Sequence, residues 1–361
     1  MKIHAQARRL WLVVLLLSLM PVASIAALAA NAPQGGRIVA NAFGDTRIPA
    51  TPQRVVTLYQ GATDSAVALG ITPVGVVDSW LEKPMYRYLR DALSGVEHVG
   101  LETQPNLEKV AWLDPDLIVA TRFRHERVRP LLEKIAPTVA TGTVFDFKAT
   151  LALMAEATGR ESRARELMQH WDDRVADFRR QIADKLGDDW SQKAAVIRFK
   201  SDHVRIYSTG FAGSILSELG FEQPDSLHDQ GWGMKLTSEE NIPVMNADVI
   251  FVLLEPDDPA IARNYRHWRS HPLWQRLDAV QNERVFEVDA VNWIMGGGIL
   301  AANAMLDDLY VHYGLDSHRE RASSLSDTLA ATLSSQAASA ASCPGESFQL
   351  FPARDEEPAA C

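Results

Sequence analysis

The sequence predicts an α/β protein of two similarly planned lobes with a ligand cleft where they meet. Two sets of short β-branched runs alternate with stretches of helical periodicity. A long amphipathic helix lies between the sets, and one motif recurs in both halves at a fixed offset.

The chain opens with Lys2, Arg8 and Arg9, the apolar run Leu10 to Met20, then Pro21 and small residues through Ala29. This order reads as a secretory signal peptide over residues 1–30. The run is too short to span a bilayer, and no second apolar segment of about 20 residues follows. No cysteine lies near the expected cleavage point, which argues against a lipid anchor and for a free periplasmic protein. That compartment lacks ATP. Formal net charge is −10, and removing the three positive charges of Lys2, Arg8 and Arg9 takes it to −13. Such a balance favours solubility and argues against DNA or anionic membrane as a partner.

An N-terminal lobe is expected over residues 37–145, from "RVVTLY" at Arg54, "TPVGVVD" at Thr72, "DLIVAT" at Asp116 and "TVATGT" at Thr138. Continuous apolar strands of this kind belong to sheets covered on both faces. Residues 146–187 follow as the connecting helix. Its stripe is Ala164, Leu167, Met168, Trp171, Val175, Phe178, Ile182 and Leu186. From Arg160 to Leu186 it is about 40 Å long at 1.5 Å per residue. A C-terminal lobe over 188–315 takes its strands from "AAVIRFK" at Ala194, "VRIYS" at Val204, "DVIFVLL" at Asp248 and "RVFEVD" at Arg284. The tail, 316–361, is rich in Ala and Ser and reads as a mobile appendage. It holds both cysteines, Cys343 and Cys361, which can pair with each other and cannot staple the body.

The repeat joins "NLEKVAWLDPDLIVA" to "SEENIPVMNADVIFV". Glu108 and Glu240, Val110 and Ile242, Leu113 and Met245, Asp116 and Asp248, and Ile118 and Ile250 all differ by 132, as 240 minus 108 does. Ligands of open α/β sheets collect beyond the carboxyl ends of strands, and pockets favour domain interfaces. The stretch "NWIMGGGILAANAMLDDLY" places three glycines before the last helix, at neither the dinucleotide nor the P-loop spacing. Gly296 to Gly298 are expected as a tight turn into that helix, open to lending N–H groups to a ligand.

In order along the body, "TPQRVVTL" at Thr51, "ALGITPVGV" at Ala68, "NLEKVAWLDPDLIVA" at Asn106, "KIAPTV" at Lys134, "LTSEENI" at Leu236 and "HPLWQRLDAVQNERVFEVD" at His271 precede the glycine stretch. Together they resemble the periplasmic iron-siderophore (ferric-dicitrate type) solute-binding proteins of ABC transporters. The resemblance implies two Rossmann-like lobes joined by a single long backbone helix. It also implies a ferric chelate as ligand, with an inner-membrane permease as partner and a cytoplasmic ATPase behind it. No cofactor is expected, since iron arrives already caged in its chelate, and the chain is expected to be a monomer. In this family a glutamate in each lobe docks on basic residues of the permease, which falls here on Glu108 and Glu240. The local alternative is helix capping, since Thr237 to Glu240 fits a capping box and Asn106 to Lys109 does not.

A caged ferric ion presents an organic, often anionic surface, which calls for Arg forks and broad aromatic faces rather than metal ligands. Arg122 and Arg124 follow the strand "DLIVAT" directly, and Arg198 stands in an otherwise buried strand where it must meet an internal partner or ligand. Tyr59 and Gln60, Trp80 and Tyr207 end strands, while Trp232 and Trp293 lie in loops. These nine are the ligand-binding candidates, Trp293 facing the cleft, with Trp112, Trp171, Trp268 and Trp274 assigned to packing. Scattered histidines disfavour direct Zn²⁺ or Mn²⁺ capture. Haem or vitamin B12 binding shares the expected architecture and stays open. A ferric-chelate hydrolase is the rival of another class, and no GxSxG, SxxK or HExxH supports an enzyme.

Overall fold

A computed structural model describes residues 36–317, apart from 50, 229, 230, 256 and 257. The expected signal peptide, Cys343, Cys361 and nearly all of the tail lie outside the described residues. Contacts group the chain through Tyr313 into one compact unit, and both sheets belong to it. No helix among the described residues is long and apolar enough to cross a membrane.

A hairpin comes first, β1 (Arg37–Asn41) paired antiparallel with β2 (Gly44–Ile48). Its short, mostly exposed strands carry little hydrophobic pattern, which is why the sequence hides them. The N-terminal lobe is a six-stranded sheet of β3 (Val55–Thr57), β4 (Gly75–Asp78), β5 (Glu97–Leu101), β6 (Gln104–Pro105), β7 (Leu117–Thr121) and β8 (Thr138–Thr141). Their order is β6-β5-β4-β3-β7-β8, and only the β5–β6 pair is antiparallel. The helices of this lobe are α1 (Gln60–Ala68), α2 (Leu107–Trp112), α3 (Arg122–His125), α4 (Arg129–Ile135) and α5 (Phe147–Thr158). Every residue of the run "LIVAT" in β7 is buried, as both-face coverage requires.

The segment expected as one connecting helix is two. Asp146 caps α5 by accepting from the Ala149 N–H at 2.9 Å, and Gly159, in the left-handed conformation at φ 70°, ends it. Then α6 (Glu161–Leu186) runs 26 residues, close to 39 Å. Ala164, Trp171, Val175, Phe178 and Ile182 are buried along it. So are Arg174 and Asp177, and buried charges need partners. Arg174 donates to Asp307 at 2.5 Å and to the Asn303 side chain at 2.6 Å, while the Tyr310 hydroxyl donates to Asp177 at 2.9 Å. The backbone helix is thereby fixed to the last helix.

The C-terminal lobe is a five-stranded sheet of β9 (Ala194–Phe199), β10 (Val204–Tyr207), β11 (Gly233–Leu236), β12 (Val249–Leu254) and β13 (Val285–Asp289), in the order β11-β10-β9-β12-β13. Here β9, β12 and β13 are parallel, while β10 runs antiparallel to β9 and β11. A hairpin turn closed by the Lys200 N–H on the His203 carbonyl at 2.9 Å replaces the helix that joins β3 to β4. Helices α7 (Gly210–Leu219), α8 (Pro259–Ser270), α9 (Asp278–Gln281) and α10 (Ile299–His312) are the remaining α-helices among the described residues. Trp268 and Trp274 pack on Phe199 at ring distances of 6.1 and 6.3 Å, as their packing assignment expected.

The repeat has a structural duty. Asp116, just before β7, accepts from the Gln53 and Arg54 N–H groups at 2.7 and 2.8 Å. Asp248, just before β12, accepts from the Lys193 N–H at 2.7 Å. Each aspartate ties the start of its strand to the chain entering the first strand of its lobe.

The three glycines find their explanation in Asp64 of α1. Its fully buried carboxylate accepts from the Leu300 and Ala301 N–H groups at 2.9 and 3.0 Å and from the Tyr88 hydroxyl at 2.8 Å. Gly298 caps α10, and a Cβ there would stand 2.2 Å from an Asp64 oxygen. Gly297, at φ +68°, lies against Gly61, whose own Cβ would stand 2.5 Å from the Gly297 carbonyl oxygen. The anion at this helix start is the chain's own, taken by the Leu300 and Ala301 N–H groups, while Gly297 lies in the cavity lining. Burial pushes the Asp64 carboxyl up to about 6 despite its three hydrogen bonds.

Candidate functional site

A cavity of about 580 Å³ opens between the two sheets, lined by residues of both lobes. Its N-terminal wall is built from residues that follow parallel strands: Gln60 after β3, Trp80 after β4, Glu102 after β5, Phe123 and Arg124 after β7, Phe145 after β8. Its C-terminal wall has Arg198 in β9 and Lys200 just after it, Tyr207 in β10, Phe211 in α7, Trp232 and Glu255.

Arg124 donates through Nε to Glu102 at 3.1 Å, and its guanidinium lies over Phe123 at 4.8 Å and Trp80 at 5.7 Å. Glu102 is 4% exposed, and burial raises its carboxyl pKa against the hydrogen bonds from the Gln60 N–H, Arg124 and Trp80. On the opposite wall Glu255 accepts from Arg198 Nε at 3.0 Å and from Lys200 Nζ at 2.8 Å. Burial opposes that carboxylate, yet the bonds from Lys200 and Arg198 outweigh it and hold its pKa below the usual range. Tyr207 and Trp232 pair at 6.0 Å beside them, and Arg205 covers Trp232 at 5.1 Å. Three cations against two carboxylates leave the lining one positive charge in excess, between exposed aromatic faces such as Phe123 at 55% and Trp232 at 49%. Large apolar groups left open beside fixed donors are the mark of a site for an organic anion.

Of the nine ligand candidates, the cleft brings together Gln60, Trp80, Arg124, Arg198, Tyr207 and Trp232. Tyr59, Arg122 and Trp293 are not among its lining residues. Tyr59 turns inward, its hydroxyl sharing hydrogen bonds with Thr141 at 3.0 Å and Thr150 at 3.2 Å, and burial pushes its pKa up to about 12. Arg122 is exposed at the start of α3. Trp293 is fully buried, 4.5 Å from Phe251, with its indole N–H on Asp308 at 2.9 Å, so it is core and not cleft wall. Trp112, assigned to packing, is instead 78% exposed. Sequence reasoning passed over Glu102, Phe123, Phe145, Lys200, Phe211 and Glu255. Glu255 and Phe123 were within reach, since each follows a recognised strand.

Glu108 is exposed in the first turn of α2, whose cap is the Asn106 side chain accepting from the Lys109 N–H at 3.0 Å. Glu240 is exposed in a 3₁₀ turn, Glu239–Met245, where Ser238 rather than Thr237 is the cap and accepts from the Glu240 N–H at 3.3 Å. Among the described residues no three His, Cys, Asp or Glu side chains gather in a way that could hold a metal ion.

Two α/β lobes on one long helix, with a cationic and aromatic cleft between them, define a solute-binding protein. The chain belongs to the periplasmic binding protein family, whose model matches residues 55–291. It is 53% identical over 260 residues to the achromobactin-binding periplasmic protein of Dickeya dadantii, covering 72% of this chain and 85% of that one. It is 27% identical over 278 residues to the Fe(3+) dicitrate-binding periplasmic protein FecB of Escherichia coli, covering 75% and 88%. The crystal structure of Staphylococcus aureus SirA complexed with staphyloferrin B superposes with a TM-score of 0.75 at 44% identity, covering 78% of this chain and 99% of SirA.

Proposed function

We propose that this chain is the ligand-binding component of an ABC importer. It captures a ferric siderophore or ferric carboxylate chelate in the periplasm and delivers it to an inner-membrane permease, with the cytoplasmic ATPase acting indirectly. The carrying observation is the placement of Arg124 on one wall and Arg198 with Lys200 on the other, across a cavity whose faces are aromatic. An anionic chelate meets a guanidinium on each side, and the rings cover its apolar shell. Relatives named for achromobactin and for Fe(3+) dicitrate, and a SirA structure that holds staphyloferrin B, support that ligand class. In this reading the iron stays inside its chelate, so the protein supplies no metal ligand, and no chemistry is performed on the cargo.

The reading includes a cleavable leader over residues 1–30, a monomeric mature protein, and the exposed Glu108 and Glu240 as the docking pair for the permease. The two glutamates stand at equivalent places in the repeat, one per lobe. Reversing both charges is expected to stop uptake in cells and leave ligand affinity unchanged. Collapse of affinity, or surviving uptake, rejects the docking role.

The principal test is titration of the purified mature protein, followed through its tryptophans, with ferric staphyloferrin B and ferric citrate. Haem, cobalamin, free Fe³⁺ and free Zn²⁺ serve as controls. Saturable binding of a ferric chelate, recovered intact, is expected. A response confined to haem, cobalamin or a bare cation rejects the reading, and release of a cleaved chelate makes the protein an enzyme.

A further inference from the structure

Glu102 is an acid at the bottom of a site that takes anions. By charge alone it opposes binding, so its presence needs a reason. The surrounding geometry supplies one. Its Oε2 accepts from the Gln60 backbone N–H at 3.2 Å and from the Trp80 indole N–H at 3.4 Å, while Oε1 accepts from Arg124 Nε at 3.1 Å. The backbone is held as well. His125 is fully buried and accepts at Nδ1 from the Thr121 N–H at 3.2 Å, so its proton sits on Nε2, which donates to the Glu102 carbonyl at 2.9 Å. Segments following β3, β4 and β7 therefore all fasten this one residue.

The bond to Arg124 uses Nε alone. No described residue accepts from the two terminal nitrogens, and the side chain is 28% exposed to the cleft. A guanidinium gripped at Nε with its face against Phe123 has little freedom left, and its terminal pair stands ready as a fork. The other wall differs. There Glu255 takes Arg198 through both Nε and Nη2, which occupies that guanidinium's side edge more fully, and Lys200 as well.

We infer that Glu102 is a positioning residue of the ligand site. It holds Arg124 side-on, so that the two terminal nitrogens receive both oxygens of a carboxylate on the ferric chelate. The favoured cargo thus carries a carboxylate not consumed by iron on the side that meets the N-terminal lobe. This rests on the ferric-chelate reading above.

The test turns on the sign of an effect. Removing a negative charge from an anion site tightens binding if charge alone matters, whereas losing a positioning group weakens it. Calorimetric titration of the mature protein with ferric staphyloferrin B and with ferric citrate is expected to show Glu102→Ala at least about tenfold weaker than the native chain. Glu102→Gln keeps one carbonyl oxygen for the Arg124 Nε–H but turns its amide N–H groups towards the Gln60 and Trp80 donors, so it is expected to bind more weakly than the native chain and more tightly than Glu102→Ala. In an Arg124→Lys background, which has no fork, Glu102→Ala is expected to add no further loss. Should the alanine variant fail to fold, Glu102→Asp takes its place, since the shorter side chain withdraws from Nε and must bind more weakly than Glu102→Gln. Variants that bind as tightly as the native chain or tighter, or equal losses in the alanine and glutamine forms, overturn the role while native binding stands. A native chain that binds neither probe overturns the ferric-chelate reading itself.

Discussion

The two walls of the cleft answer one chemical demand by different means. The N-terminal wall is contributed by residues just past five parallel strands, and its one cation, Arg124, leans on a carboxylate that is 4% exposed. The C-terminal wall is built around the β9–β10 hairpin, where Arg198 and Lys200 share Glu255. One wall is singular and held in register from several directions. The other is redundant, with two cations on one oxygen and a shallower carboxylate, 18% exposed. Duplication of a fold did not duplicate the site, because the strand that follows β3 is reached by a helix and the strand that follows β9 by a tight turn.

This contrast breaks first at the cations. Arg124→Ala is expected to weaken ferric-chelate binding about a hundredfold, near 3 kcal/mol, and Lys200→Ala only about threefold, because Arg198 remains. Calorimetry decides it, and equal losses would erase the distinction between the walls. Outside the cavity lining, where α1 meets α10, burial pushes the Asp64 carboxyl up to about 6 in the fold against 3.8 in the free chain. The folded form holds that proton more firmly, so this contribution is complete below about pH 4 and lost as pH rises through about 6, on the order of 2 to 3 kcal/mol. Melting temperatures across that window should fall with rising pH in the native chain relative to Asp64→Asn. Parallel curves reject the assignment.

Gly298→Ala drives a methyl group into the same carboxylate and is expected to cost about 2 kcal/mol of stability in denaturant titration, with affinity of the folded fraction kept. Trp80 touches both Arg124 and Glu102, whereas Trp232 touches Tyr207 and Arg205, so Trp80→Ala should lose about tenfold in affinity and Trp232→Ala about threefold. The reverse order would make the hairpin wall the dominant one. The smallest change expected is Trp293→Phe, about 1 kcal/mol of stability from the lost bond to Asp308 and none of the affinity.

What could be read from the residues followed burial. The strands with continuous β-branched runs, β7 and β12 above all, were visible because both their faces are covered. Strand β5, "EHVGL", was not, because only Val99 in it is buried. With β5 went Glu102, the residue just beyond its end. Position after a strand locates a residue near the cleft but says nothing of which way it points. Tyr59 and Gln60 are neighbours, and one turns to Thr141 and Thr150 while the other lines the cavity. Trp293 was misplaced for a related reason, since Phe251 and Asp308, which hold it, come from other elements. Trp112 sits at the end of a helix only six residues long, too short for periodicity to reveal its outward face.

The bonds from Leu300 and Ala301 to Asp64 join positions more than 230 residues apart. A helix formed among the earliest portions of the chain therefore waits for nearly the final one before its buried acid is satisfied. Without those last residues Asp64 keeps one of its three donors, the Tyr88 hydroxyl, and lacks both backbone N–H groups, so the first lobe alone holds a buried acid that is only partly satisfied.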